Sequence, residues 1–427
     1  MTTNEMTRRG FIAAGAALAA MPGVFAATGR KTFKIGLVGC GTRGKGAVRD
    51  FMGAAKLLGL EVRLVAAADF FAEKAKDALK QYEGDVSKAF GGANGYKEVL
   101  KSDCDIVLLC TPPFFRPRHV QAAVDAGKHI FAEKPVATDP RGLRLFLKAA
   151  EAAKAKNLVL LAGTQMRHSN IHRAQLDAVR AGAIGKIVSA QCIRYQNAPW
   201  VRPREPGQSN AAYMCNNWLH FREMGGDFMT EQVIHEIDVG NWFIGRLPVS
   251  AIGTCGRRCR PAGVGNICDS FTVDYDYGDD LHMLTMCRHL TNKPFAKGTI
   301  LTGTEGRCWA REKIERYDGK PVEVDLAKYD RGSQDFQVLE HYDCLKAFLA
   351  GEIVNDGETV ALATATTMIG TYAAYTGEKV AIDDLLKNES SVFYNGWNNI
   401  VTPEMFEETE DVPLPKEGVA PVPEIKA

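Results

Sequence analysis

Short apolar runs alternate with amphipathic stretches along the first third of the chain, and turn residues separate them. Phe33-Lys34-Ile35-Gly36-Leu37-Val38 reads as a strand and leads into Gly39-Cys40-Gly41-Thr42-Arg43-Gly44, after which the pattern is helical to about Leu58. Val62 to Ala68 is a second apolar run that stops at Asp69. Asp105 to Cys110 has the continuous apolar character of a strand buried on both faces, and Thr111-Pro112-Pro113 breaks it. His119 to Ala126 reads as a helix, His129 to Ala132 as the next strand ending in Glu133-Lys134-Pro135, and Leu158 to Ala162 as another. Strands that alternate with helices predict a parallel sheet built from βαβ units.

Further on, the period shortens to two. Phe271 to Tyr277 alternates, Gly278-Asp279-Asp280 turns, and Leu281 to Cys287 returns. Residues 249–330 therefore predict antiparallel strands, with Ala183 to Ile187 expected to open the same sheet. Phe336 to Leu349 and Thr359 to Tyr375 read as helices. From Val412 the chain is rich in proline and charge and predicts an extended tail. The expected fold is an α/β Rossmann N-terminal domain over residues 31–155, then an α+β domain over 156–411 with a large, mainly antiparallel sheet. A sheet with one free face predicts a homo-oligomer.

The first 29 residues stand apart. Arg8-Arg9 precedes a short apolar run, Ile12 to Met21, and small residues follow at Val24, Ala26 and Ala27. That order resembles a twin-arginine signal, which exports proteins already folded, so a periplasmic location is expected. The run is too short to span a bilayer, and no other stretch predicts membrane insertion. Lysine plus arginine number 52 against 51 acidic residues, a net charge of +1 with no basic block, which argues against nucleic acid as a partner. The eleven cysteines are odd in number and irregularly spaced, and no paired CxxC pattern predicts a metal site. Most read as small buried apolar residues; a Cys255–Cys259 or a Cys268–Cys287 bridge stays open.

Candidate chemistry clusters at strand ends. Gly39, Gly41 and Gly44 form GxGxxG in strand–turn–helix context, where glycines admit a pyrophosphate and the helix start at Thr42 offers free N–H groups. Asp69 can accept bonds from ribose hydroxyls and would repel a 2′-phosphate, which favours NAD; Arg43 could still meet such a phosphate and keeps NADP open. The gap from the glycines to Asp69 is long, which a helix–strand connection from Gly53 to Glu61 would explain. Thr111, Pro112, His119, Glu133 and Lys134 complete the expected cofactor edge. Lys134, at the carboxyl end of a buried strand, can hold a substrate hydroxyl and help move its proton. Pro135 fixes that turn and admits a cis peptide. Glu231 and His235, four apart, share a face if the segment is helical, and Asp238 is placed to orient or cap. Arg167 could bind sugar hydroxyls or a carboxylate. Tyr195, Asn197, Trp200, Asn217 and Trp218 form an aromatic, amide-rich region suited to a carbohydrate ring.

Taken together, IGLVGCGTRG, the strand ending at Asp69, the CTPP turn, AGKHIFAEKP and GGDFMTEQVIHEIDVGNWF resemble the glucose–fructose oxidoreductase and inositol dehydrogenase family, Gfo/Idh/MocA. These motifs stand in family order across most of residues 33–245. The resemblance implies that Lys134 is catalytic and that His235 is the acid/base partner of the carbinol. Many relatives carry aspartate four residues before this histidine, where this chain has Glu231. The expected activity is NAD(P)-dependent oxidation of a hydroxyl on a sugar, glycoside or cyclitol, with a tightly held cofactor. The alternative is a redox-neutral glycosidase or lyase that oxidises, eliminates and returns the hydride.

Overall fold

The computed structural model describes residues 31–260, 262–396 and 399–418. The twin-arginine segment lies outside the described residues.

Six parallel strands form the first sheet: β1 (Thr32–Val38), β2 (Glu61–Ala68), β3 (Ala89–Phe90), β4 (Ile106–Leu109), β5 (His129–Ala132) and β6 (Leu160–Ala162). Their order is β3-β2-β1-β4-β5-β6. The order reverses between β1 and β4, and in such sheets ligands bind beyond the carboxyl ends at that reversal. The apolar run at β4 has a direct cause. Val107 and Leu109 enter the core on one face while Ile106 and Leu108 enter the core on the other. Helices α1 (Thr42–Leu57), α2 (Arg116–Asp125) and α3 (Pro140–Ala155) cover the faces.

Two expectations change here. The first sheet continues past residue 155, because β6 pairs in register with β5. The long gap before Asp69 lies in α1 itself, which runs to Leu57, and not in a connection starting at Gly53.

The second sheet holds β7 (Ile187–Gln196), β8 (Ser250–Gly256), β9 (Ser270–Asp276), β10 (His282–His289), β11 (Ala296–Gly303), β12 (Gly306–Trp309), β13 (Lys313–Arg316) and β14 (Val380–Ala381). Its order is β13-β12-β11-β7-β10-β9-β8-β14. The β7–β10 pair is parallel and the other pairs are antiparallel. Ala183 to Lys186 is a turn and not the strand's opening; Gly185 takes φ +67° there, and pairing begins at Ile187.

Helices α4 (Ile234–Ile244), α5 (Phe336–Leu349) and α6 (Gly357–Thr376) follow. The inner face of the second sheet packs on α4 and α6. A Cβ at Gly370 would lie 2.1 Å from the Tyr275 hydroxyl, and one at Gly240 would lie 2.5 Å from Met283 Sδ, so these glycines let helix and sheet touch. Among the described residues, apolar side chains on the outer face remain exposed. Ile252, Leu284 and Met286 there are between 39% and 50% exposed.

The C-terminal stretch is less of a free tail than its composition predicts. Helix α7 (Pro403–Glu408) sets Phe406 against Phe114 and Phe115, and Val412 is buried. Among the described residues no helix is long and apolar enough to cross a membrane, and no group of three or more histidine, cysteine or acidic side chains could hold a metal.

Candidate active site

The glycine turn is built for a nucleotide. Gly39 takes φ +91°, and a Cβ there would stand 2.6 Å from the Thr111 nitrogen. A Cβ at Gly44 would stand 1.8 Å from the Gly39 carbonyl oxygen, so α1 can pack on the turn only with glycine. Gly41 differs: a Cβ there would meet no protein atom within 4 Å. The open space above Gly41, at the start of α1 with Thr42, is where a pyrophosphate fits. Asp69 accepts the Cys40 N–H at 2.8 Å on one oxygen and the Phe71 N–H at 3.0 Å on the other. Each oxygen keeps a lone pair for a ribose hydroxyl.

Gly39, Gly41, Asp69, Thr111, Pro112 and His119 line one pocket, as the sequence predicts. His119 is buried, with its ring 4.2 Å from that of Tyr96 and its Nδ1 3.3 Å from Thr111 Oγ1. Burial pushes its pKa down to about 3, so it stays neutral. Tyr96, Phe115, Cys215 and Lys74 also line this pocket. Sequence reasoning missed them because they come from four separate segments with no shared spacing. Trp218, expected beside the sugar, lines this same pocket instead and sits in T-shaped contact with Trp200.

Arg43, which keeps a 2′-phosphate open in the sequence, is engaged by carboxyl groups in the structure. Its guanidinium turns inward, where Nε bonds Glu133, Nη1 bonds Asp50 at 2.8 Å and Nη2 bonds Glu340 at 3.3 Å. Three buried carboxyl groups thus hold one guanidinium in place. Glu133 is likewise turned inside: its second oxygen accepts the Lys134 N–H at 3.1 Å. Through these two bonds Glu133 links Arg43, beside the glycine turn, to the lysine. Glu340, on α5, has no sequence signal of its own; burial holds its carboxyl well above the usual carboxylate range.

The lysine, glutamate and histidine converge. Lys134 follows β5, and its peptide bond to Pro135 is cis. Its Nζ bonds Glu231 Oε1 at 2.8 Å and also the Glu231 carbonyl oxygen. Both side chains are largely buried. Glu231 lies in a π-helical turn, Met229–Val233, that runs directly into α4. The four-residue spacing thus crosses a widened turn, a feature frequent at functional sites. Burial raises the Glu231 carboxyl, and the Lys134 ammonium opposes that shift. The His235 imidazole has no hydrogen-bond partner among the described residues. Burial holds its imidazole well below the usual range, and the nearby Lys134 charge pushes the same way. The result is a neutral ring beside a cation, able to accept a proton. Arg116, which has no motif, clamps the site from below: it donates to the carbonyls of Thr111 and Pro135 and so joins the two strand-end turns.

Two expected substrate contacts lie elsewhere. Arg167 forms a bidentate pair with buried Asp238, at 2.8 Å from both Nε and Nη2, which anchors the loop after β6 to α4. Asp238, expected to orient or cap, thus holds Arg167. Tyr195 points to the outer face of the second sheet, where Arg288 lies 4.6 Å over its ring. The strand's alternation decides this: Arg194, its neighbour, faces inward and bonds Glu236 at 2.8 Å.

The chain matches two family models: "Oxidoreductase family, NAD-binding Rossmann fold" over residues 33–162 and "GFO/IDH/MocA C-terminal domain" over 172–308. Among curated proteins it is 28% identical over 225 residues to inositol 2-dehydrogenase of Rhizobium meliloti (strain 1021), covering 52% of this chain and 58% of that one. The chain spans 58–60% of the length of the first such relatives it matches. Among solved structures, a levoglucosan dehydrogenase complexed with NADH and levoglucosan superposes with a TM-score of 0.66 at 17% identity, over 82% of this chain and 99% of the other. The aldose-aldose oxidoreductase of Caulobacter crescentus, complexed with glycerol, gives 0.64 at 18% identity over 82% and 99%. With an NAD-binding Rossmann domain followed by this second domain, the chain belongs to the Gfo/Idh/MocA oxidoreductase family.

Proposed function

We propose that the protein oxidises a secondary hydroxyl of a sugar, glycoside or cyclitol and keeps its NAD bound between turnovers. The observation that carries this reading is the Lys134–Glu231 pair beside neutral His235, at the carboxyl edge of an NAD-binding sheet. NAD, when bound, supplies the hydride acceptor. Lys134 holds the reacting hydroxyl and, with its charge, favours the developing alkoxide. His235 takes the hydroxyl proton as general base. Glu231 fixes the lysine and has the raised carboxyl needed to share a proton with it. Inositol and levoglucosan, named for the relatives, are the first substrates to try.

Retention of the cofactor has structural support. Glu407 on α7 bonds Lys97 at 2.8 Å, Tyr96 at 3.1 Å and Arg118 at 3.0 Å, and Tyr96 is a wall of the nucleotide pocket. On the opposite wall, Asn210 bonds the Val412 carbonyl at 2.7 Å, just before Cys215 and Trp218. The C-terminal strap thus ties both walls of the pocket together. Export by the twin-arginine route would carry such a loaded enzyme to the periplasm, and the apolar outer face of the second sheet supports a homo-oligomer.

The test is to purify the protein without added nucleotide, record its near-ultraviolet spectrum, and screen myo-inositol, levoglucosan and aryl glycosides for both NADH formation and aglycone release. Bound nucleotide and reduction on adding a polyol or sugar are expected. Aglycone release with no net NADH would favour the redox-neutral alternative, and inertness toward every hydroxylated substrate in NAD-loaded protein would overturn the reading.

A further inference from the structure

Cys255 is the penultimate residue of β8 and is half-buried, while Cys268 lies just before β9 and is 1% exposed. The β8–β9 register pairs Cys255 with Phe271, so Cys268 sits where the strands part around the 257–267 loop. All eleven cysteines are free thiols, and the sulfurs of these two stand 2.8 Å apart. That is inside the van der Waals contact of two sulfur atoms, and adjacent strands hold both residues in place. Of the two bridges left open by the sequence, neither places its sulfurs this way. The backbone of Cys268 is fixed on both sides. Its N–H donates to Asp227 at 3.2 Å and to the Tyr375 hydroxyl at 3.1 Å, and its carbonyl accepts from Arg260 at 2.8 Å. Asp227 lies four residues before Glu231, so this node buttresses the active-site turn.

We propose that Cys255 and Cys268 are a dithiol site that a disulfide oxidant converts to an intramolecular disulfide. Cys255, the more exposed, attacks one sulfur of the oxidant as thiolate, which forms a mixed disulfide and expels the first thiol. Cys268 then attacks Cys255 Sγ; the mixed disulfide breaks and the second thiol leaves. Two protein thiols are oxidised, one oxidant disulfide is reduced, and the two thiol protons end on the two departing thiols. The closed bridge locks the base of the 257–267 loop onto the Asp227–Tyr375 node. This inference does not depend on which substrate the enzyme oxidises.

The experiment treats reduced, full-length protein with oxidised glutathione, blocks the remaining thiols, and maps the peptides by mass spectrometry. A linked Cys255–Cys268 peptide and a thiol count lower by two are expected, with a higher urea midpoint for oxidised than for reduced protein. Cys255→Ser should show neither the link nor the midpoint shift. Cys268→Ser should stop at glutathione on Cys255; if that variant does not fold, Cys255→Ser decides alone. Bridges of Cys255 to Cys259 or of Cys268 to Cys287, or two unmodified thiols in protein that still binds NAD, would overturn the proposal.

Discussion

Lys134 and Glu231 are nearly a hundred residues apart in sequence and 2.8 Å apart in space, and each is the other's charge partner in a largely buried setting. The consequence is asymmetric. Lys134→Ala removes the group that holds the hydroxyl, so kcat should fall by roughly 10²–10⁴ while NAD affinity changes little. Glu231→Asp keeps the charge and should retain far more activity than Glu231→Gln. Steady-state kinetics with a fluorescence titration of NAD reads both; an active Lys134→Ala enzyme would remove the lysine from the chemistry.

Gly41 and Gly44 should fail differently. Gly44→Ala forces a methyl into the Gly39 carbonyl and should cost about 1–3 kcal/mol of stability. Gly41→Ala meets no protein atom, so its stability should stay within about 0.5 kcal/mol of the parent. Its NAD dissociation constant should nevertheless rise at least about tenfold, since the methyl takes the space meant for phosphate. Thermal melts beside nucleotide titrations distinguish the two, and a Gly41→Ala protein with parental NAD affinity would move the phosphate elsewhere.

The pH–rate profile follows from the depressed His235. Its folded pKa lies well below the usual 6.5, so the ring stays neutral, and competent as a base, when pH falls through that value. The sign is therefore a kcat/KM that holds level from pH 8 down through 6.5 and declines only in more acidic solution. A half-maximal point near 6.5 on the acid limb would show an ordinary imidazole and contradict the buried neutral base.

Glu407 ties the strap to the nucleotide pocket through Arg118, Lys97 and Tyr96. With cations as exposed as Lys97 and Arg118, such pairs contribute up to about 1 kcal/mol each. Glu407→Gln should speed NAD release by roughly tenfold or more, seen by dilution of loaded enzyme into a nucleotide trap. Unchanged release would uncouple the strap from the cofactor.

Leu284 and Met286 alternate outward on β10 in the middle of the outer face. A charge there, as in Met286→Lys, should shift the protein toward smaller species in light scattering at micromolar concentration. A parental mass for that variant would place any interface on another surface.

The local features were legible because they obey local rules. The glycine turn, Asp69, the buried run at β4 and the alternation of β9 and β10 each follow from backbone conformation or from which faces are covered. The cis bond at Lys134–Pro135 and the alignment of Lys134 with His235 also had a signal, in the motifs. Arg43 and Arg167 were legible only in part, for a shared reason. A guanidinium near a site reads as a ligand for phosphate or sugar, yet both are engaged by carboxyl groups from distant segments, Glu133 and Glu340 in one case and Asp238 in the other. Tyr195 misled through strand parity, since one residue's shift exchanges the crevice for the outer face.

The sequence alone determined the two-domain plan, the cofactor turn and the identity of the three polar groups, because strand and helix periods and turn glycines act over a few residues. The tertiary structure decided which charges neutralise one another and which remain free for chemistry. Such pairings join positions far apart in sequence, where no spacing rule applies and burial sets what an unpaired charge would cost.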